Sequence, residues 1–259
     1  MLKYNTVKYF FATVFLLAAF FVFQFENKYW WIFIFLILSW LIYLSYGAFR
    51  MKAEVFLTSV CRLKESKLNT ILLTFDDGPD PVGTSQILDI LREHHVKAIF
   101  FCIGSKIQLF PELTRKIAEE GHIVANHTFS HSNFTGFYSV EKIKEELANT
   151  ENLILEHAKR SFKLFRPPFG VTNPNIAKAV KELGYTVIGW NVRSFDTVSK
   201  NKENILNRIS RQLKAGDIIL LHDTISITPS VLKEFILLAR NKGFTFDIQI
   251  ESLFTNTTK

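Results

Sequence analysis

From residue 70 onward the chain alternates short apolar runs with longer amphipathic stretches. No other feature limits the fold as strongly. Apolar runs of strand length fall at residues 70–75, 97–102, 122–126, 164–166, 186–190, 217–221 and 244–247, and helical patterns separate them at 84–95, 111–120, 139–157, 174–183, 202–213 and 229–241. In the longest of these, Val140, Ile143, Leu147, Leu153 and Ile154 recur at helical spacing with charges on the other face. Pro111, Pro174 and Pro229 stand where helices begin, positions that suit a fixed φ and a missing N–H. Gly121, Gly184, Gly216 and Gly243 stand at or just past helix ends. Such alternation predicts a parallel sheet with helices outside it. About seven units fit a small or incomplete (β/α) barrel, with an open doubly wound sheet as the alternative.

The first fifty residues differ from the rest. Residues 9–25 and 29–49 hold no charged side chain, and only Glu26, Asn27 and Lys28 separate them. A bilayer-spanning helix needs roughly 17–25 apolar residues, so each run is long enough. Trp30, Trp31, Trp40, Tyr43 and Tyr46 lie along the second run, several near its ends, where interfacial aromatics gather. We read residues 1–52 as a transmembrane helical hairpin, residues 53–69 as a polar connector, 70–250 as the soluble domain and 251–259 as a tail. A signal peptide followed by a core helix is the alternative, but the first run ends in bulky aromatics rather than a small-residue cleavage site. A hairpin puts both ends on one side. Lys3, Lys8, Arg50 and Lys52 outside it, against Lys28 in the loop, favour the cytoplasmic side.

The formal charge is +7; five of the 31 Lys and Arg and one of the 24 Asp and Glu fall in the first 52 residues, leaving the remainder at +3. The basic residues are scattered, which argues against a nucleic-acid surface. Two cysteines, Cys61 and Cys102, give no disulfide framework.

In a barrel, polar chemistry collects at the C-terminal ends of the strands. Asp76 and Asp77 follow the first run, His127 and His131 the third, Arg166-Pro167-Pro168-Phe169-Gly170 the fourth, Trp190 to Asp196 the fifth, and His222-Asp223 the sixth. Successive strand side chains point to opposite faces, so a regular strand would part the two aspartates; the Gly78-Pro79 turn breaks that geometry. His127 and His131, four apart, would share one face of a helical turn, a spacing that chelates zinc. Two His and one carboxylate make a frequent catalytic zinc set. Asp76 or Asp77 supplies the carboxylate and leaves the other free as a base. His94, His95, His122 and His157 lack such partners and read as surface or packing residues.

Five motifs in order carry a resemblance: Thr74-Phe75-Asp76-Asp77-Gly78, His127-Thr128-Phe129-Ser130-His131, Arg166-Pro167-Pro168-Phe169-Gly170, Trp190 to Asp196, and Leu220-Leu221-His222-Asp223. Over about residues 70–250 the chain resembles the polysaccharide deacetylase family, whose shared unit is the NodB homology domain of carbohydrate esterase family 4. The resemblance implies a distorted (β/α) barrel and metal-dependent removal of acetyl groups from carbohydrate. It implies Asp76 as general base and Asp77, His127 and His131 as ligands of one divalent ion, with Zn²⁺ as the default and Co²⁺ or Ni²⁺ as alternatives. Further, it implies His222 as general acid, Arg166 beside the base, Asp196 orienting the acid, the Phe169 backbone N–H at the oxyanion and Leu220 walling the acetyl pocket. The fourth motif departs from the family pattern: Arg193 stands where an Asp is usual and Thr197 where a Trp is usual, which bears on the sugar more than on the chemistry.

The expected function is therefore a membrane-anchored de-N-acetylase of an N-acetylhexosamine-containing glycan. The alternatives are a deformylase or deacylase of a lipid-linked sugar, and a noncatalytic sugar-binding membrane protein. Loss of Asp76, a ligand or His222 would have favoured the last.

Overall fold

The computed structural model describes residues 4–25, 28–63 and 69–254. Lys3, Glu26, Asn27, Lys64, Glu65, Lys67 and the last five residues of the tail lie outside them. In chain order the elements are α1 (Tyr4–Gln24), α2 (Trp31–Phe49), β1 (Ser59–Val60), β2 (Thr70–Asp76), α3 (Gly83–Glu93), β3 (Ala98–Cys102), α4 (Gly104–Leu109), α5 (Pro111–Glu119), β4 (Ile123–Asn126), α6 (Val140–Ala158), β5 (Leu164–Phe165), α7 (Pro174–Glu182), β6 (Thr186–Ile188), β7 (Val192–Arg193), α8 (Lys202–Gln212), β8 (Ile218–His222), α9 (Thr228–Asn241), β9 (Thr245–Phe246) and α10 (Ile250–Phe254).

The strands form one parallel, curled sheet in the order β1-β6-β5-β4-β3-β2-β8-β7, with β9 paired to the start of β2. This is the distorted barrel expected, open between β1 and β7. All seven expected strands are present. Two more, β1 and β7, have two residues each and lie in the stretches read as the connector and as the loop after the fifth run. The stretch read as a connector therefore contributes an edge strand, with Ser59 and Val60 opposite Val187 and Ile188. Leu63 donates its own N–H to the Gly216 carbonyl, at 2.8 Å.

Alternation along the strands sorts the core. Ile71, Leu73, Phe75, Phe100, Ile219 and Leu221 pack outward against helices, joining Ile87, Leu91, Val231 and Phe235. Leu72, Ile99, Phe101, Ile123, Ala125, Ile188 and Ile218 fill the concave side. Burial of each such side chain is worth roughly 1.5–3 kcal/mol. Asp76 shares the parity of Leu72, so the same alternation aims its carboxylate into the concave side at the top of β2.

α1 and α2 are both long and apolar enough to cross a membrane. They touch through Phe11 on Trp40 and Phe15 on Phe33. Leu16, Phe20, Phe23, Leu38 and Ile42 stay exposed.

Candidate active site

Adjacent strand ends deliver the polar groups. Asp76 is the register partner of His222 on β8 and of Phe101 on β3. Asp77 then leaves the strand with φ of +76°, a left-handed conformation that Asp tolerates better than most residues. This is what lets two successive carboxylates reach one cavity. The turn is held from both sides: Gly78 accepts from the Ile103 N–H at 2.8 Å, and the Asp77 carbonyl accepts from Lys106 Nζ at 2.8 Å. Gly78 also lies so close to Asp223 that a Cβ there would fall 2.0 Å from Asp223 Oδ2.

His127 and His131 do not share a helical turn. They flank an irregular loop in which Thr128 and His131 take φ of +66° and +48°. The loop still brings the imidazoles together, with ring centroids 4.8 Å apart. Glu146 of α6 fixes it: one carboxylate oxygen accepts from the Phe129 N–H, the Ser130 N–H and the Ser130 hydroxyl at 3.0, 2.7 and 2.9 Å. Sequence reading missed Glu146. Its signal was an acid on the apolar face of a helix, next to Leu147.

Asp77 Oδ1 lies 3.5 Å from His127 Nε2 and 3.3 Å from His131 Nε2. The cluster fits a divalent ion. Zinc–ligand bonds of 2.0–2.2 Å give a tetrahedral edge of about 3.4 Å, close to both separations. His127 Nδ1 faces the Arg166 carbonyl at 2.7 Å. A carbonyl only accepts, so Nδ1 carries a proton and Nε2 is the atom facing Asp77. Burial, and then the neighbouring His127, push the His131 pKa down to about 4, so its imidazole is neutral at neutral pH. Burial raises the Asp77 pKa, but the His127 hydrogen bond and the positive charges that the His127, His131 and His222 imidazoles acquire on protonation outweigh it and hold the carboxyl well below its usual range. An ionised Asp77 and a neutral His131 are the forms a metal requires.

Arg166, wholly buried, lies behind Asp76. Its Nη1 donates to Asp76 Oδ1 at 2.6 Å and to Thr74 Oγ1 at 2.9 Å; Nε and Nη2 donate to the Ile188 and Gly189 carbonyls at 3.0 and 2.9 Å. The guanidinium stacks 4.1 Å over the Phe101 ring.

On the other side, His222 Nδ1 meets Asp196 Oδ1 at 2.8 Å, while Asp196 Oδ2 accepts the His222 backbone N–H at 2.7 Å and the Thr228 hydroxyl at 2.9 Å. Ser194 Oγ and the Thr197 N–H complete the carboxylate shell at 2.8 and 3.1 Å. Burial alone would lower the His222 pKa; the Asp196 hydrogen bond and charge reverse this and leave it raised. Leu220 is buried one pleat below His222, opposite Thr74. Phe169 takes φ of +58°, and its half-exposed ring lies 4.8 Å from His131. Gly170, at φ +70°, lets Trp190 close in; a Cβ there would lie 2.4 Å from the indole. Asp76, Asp77, His127, His131, Arg166, Phe169, Asp196, Leu220 and His222 thus gather at one rim. His122 does not: its Nδ1 accepts the Ala98 N–H at 3.2 Å between two strands.

Residues 64–188 match the family model described as polysaccharide deacetylase. A Bacillus cereus protein named peptidoglycan-N-acetylglucosamine deacetylase is 35% identical over 185 residues, covering 68% of this chain and 84% of that protein. A chitooligosaccharide deacetylase of Azorhizobium caulinodans is 34% identical, covering 60% and 74%. Among solved structures, the peptidoglycan deacetylase PdaC of Bacillus subtilis superposes with a TM-score of 0.66 at 32% identity, covering 72% of this chain and 91% of that one.

Proposed function

The chain belongs to the polysaccharide deacetylase family, and from that premise we propose that it is a membrane-anchored, metal-dependent enzyme that removes N-acetyl groups from an N-acetylhexosamine-containing glycan. It is a hydrolase of carbon–nitrogen bonds, a carbohydrate deacetylase. One observation carries the finer reading: an Asp77–His127–His131 cluster stands beside a second carboxylate, Asp76, with His222 paired to Asp76 on the next strand. A bound divalent ion, Zn²⁺ by the His₂Asp donor set, would supply Lewis acidity to the acyl carbonyl and the attacking water.

The chain's own groups do the proton work. Asp76 accepts a proton from the attacking water, with Arg166 holding the carboxylate in place. The Phe169 backbone N–H donates to the developing oxyanion, and Leu220 walls the acyl pocket. His222, kept protonated by Asp196, gives its proton to the departing amine. Residues 70–250, joined by the edge strand Ser59–Val60, form the catalytic domain and residues 1–52 the anchor; the open apolar faces of α1 and α2 support the latter.

The test is acetate release from a panel of N-acetylated glycans by the full chain, with and without chelator. Release that a chelator abolishes and Zn²⁺ restores is the expected result. Release indifferent to chelation would overturn metal dependence, and none on any glycan would overturn the deacetylase reading.

A further inference from the structure

The end of the hairpin is bonded to the rim of the site. The last turn of a helix leaves its carbonyls without helical partners. In α2 two of these accept from one residue: Gly47 from the Thr172 hydroxyl and Ala48 from the Thr172 N–H, both at 2.9 Å. Thr172 is three residues beyond Phe169, so the backbone beside His131 lies within about 11 Å of that bond. Met51, just past α2, is buried against α6 and α7 and reaches Gly189, whose carbonyl holds Arg166. A helix of 19 residues spans about 28 Å, close to the hydrocarbon thickness of a bilayer. With α2 inserted, its C-terminal end and Thr172 lie at the headgroup level, and the site opens immediately above it.

The surface around this point suits that depth. Asn173 Nδ2 donates to the Gly136 carbonyl at 2.7 Å, which ties in the loop carrying Phe134 and Phe137, 68% and 87% exposed; Phe49, ending α2, is 74% exposed. Exposed aromatics at a bilayer interface are stabilised there. Two cations meet the stretch that follows Trp190. Lys52 Nζ reaches the Asn191 carbonyl at 3.5 Å. Two residues on, Arg193 is opposite Leu220 in register and so projects from the same face of the sheet, its guanidinium 5.9 Å from the Trp190 ring and 4.9 Å from that of Phe195. Among the described residues neither Lys52 nor Arg193 has a carboxylate within ion-pair distance.

We infer that the substrate is an N-acylated sugar carried through phosphate on a membrane lipid, its sugar at the Asp76–His222 rim and its phosphate against Arg193 and Lys52. This rests on the deacetylase reading above. Tethering to the same bilayer supplies the effective concentration, and Arg193 supplies a planar donor for phosphate.

The full chain in phosphatidylcholine nanodiscs separates the possibilities with three substrates: free chitotetraose, a neutral N-acetylglucosaminyl alkyl lipid, and N-acetylglucosaminyl polyprenyl pyrophosphate. The expected kcat/KM is highest on the pyrophosphate lipid, about 100-fold or more above chitotetraose. Arg193→Gln should narrow the ratio between the two lipids about tenfold, through KM, with Arg193→Lys intermediate. Thr172→Val, which removes the hydroxyl bond to α2, should narrow the ratio of either lipid to chitotetraose. Chitotetraose turned over as well as the lipids would overturn the inference, and equal rates on the two lipids would remove phosphate from it. No release in any arm would instead sink the deacetylase reading itself.

Discussion

Arg166 Nη1 lies 2.6 Å from Asp76 Oδ1, with both groups closed off from solvent. The carboxylate proposed as the base is thus held against a cation that cannot move, since the guanidinium is pinned by two carbonyls, a hydroxyl and an aromatic face. Asp76→Asn keeps an oxygen for Arg166 but cannot take a proton. It should retain fold and metal while losing about 10²–10⁴-fold in kcat; turnover near normal would place the base elsewhere. Arg166→Met strands a buried carboxylate and should cost about 3–5 kcal/mol in stability, read as a lowered denaturation midpoint.

The metal cluster gives the second prediction. His127→Ala should abolish bound divalent metal in elemental analysis of the purified protein. Glu146→Ala acts one layer out: it frees the Phe129 and Ser130 N–H groups that fix the His127–His131 loop. It should weaken metal affinity about 10–100-fold without removing a ligand, measured by competition with a chromophoric chelator. Wild-type affinity in this variant would show that the loop holds its shape without the acid.

These two residues mark what the sequence discloses and what it hides. The strands of the sheet and the groups at their ends are legible because burial imposes alternation, and because a parallel sheet sends its polar chemistry to one edge. The shape of the His127–His131 loop is not legible: spacing by four predicts a helical turn, and the left-handed Thr128 and His131 leave no pattern. Nor are bonds that depend on distant packing, such as Thr172 to Gly47 or Glu146 to Ser130. The strand Ser59–Val60 is hidden for a different reason, since it pairs with β6 across more than a hundred residues and no βα alternation leads into it.

The pairing of His222 with Asp196 makes a pH prediction. The imidazole pKa is raised in the fold and that of Asp196 is lowered. The pair therefore stabilises the protein fully between the ordinary carboxylate and imidazole values, near 4 and 6.5. Its contribution is lost as pH falls through the lowered value or climbs through the raised one. In the proposed role of leaving-group acid, His222 would set the basic limb of the kcat profile. Asp196→Asn should move that limb to lower pH. His222→Ala should impair N-acetyl hydrolysis far more than hydrolysis of an aryl acetate, whose leaving group needs no proton. Equal losses on both would assign His222 to substrate positioning.

Asp223 gives the last prediction. It follows His222, is wholly buried, and sits behind the Asp77–Gly78 turn. Thr84 Oγ1 accepts the Asp80 N–H at 2.7 Å, so its proton goes to Asp223 Oδ2 at 2.6 Å, while Oδ1 has no partner. Burial, with the Asp77 charge adding to it, raises the Asp223 pKa to about 7. Between about pH 4 and 7 the folded protein then keeps a proton that the unfolded chain has released, so stability falls as pH rises across that window and levels above it. At 1.36 kcal/mol per pH unit the loss is on the order of 4 kcal/mol. Asp223→Asn keeps an acceptor for Thr84 and removes the titration. Its unpartnered amide costs about 1–3 kcal/mol, independent of pH. Thermal melts of the metal-free full chain in detergent, from pH 5 to 8, should therefore show a falling Tm for the wild type and a flatter line for Asp223→Asn, the two converging or crossing toward pH 8. Parallel lines would show that Asp223 holds no proton in the fold, and that the turn bearing Asp77 is built against a buried negative charge.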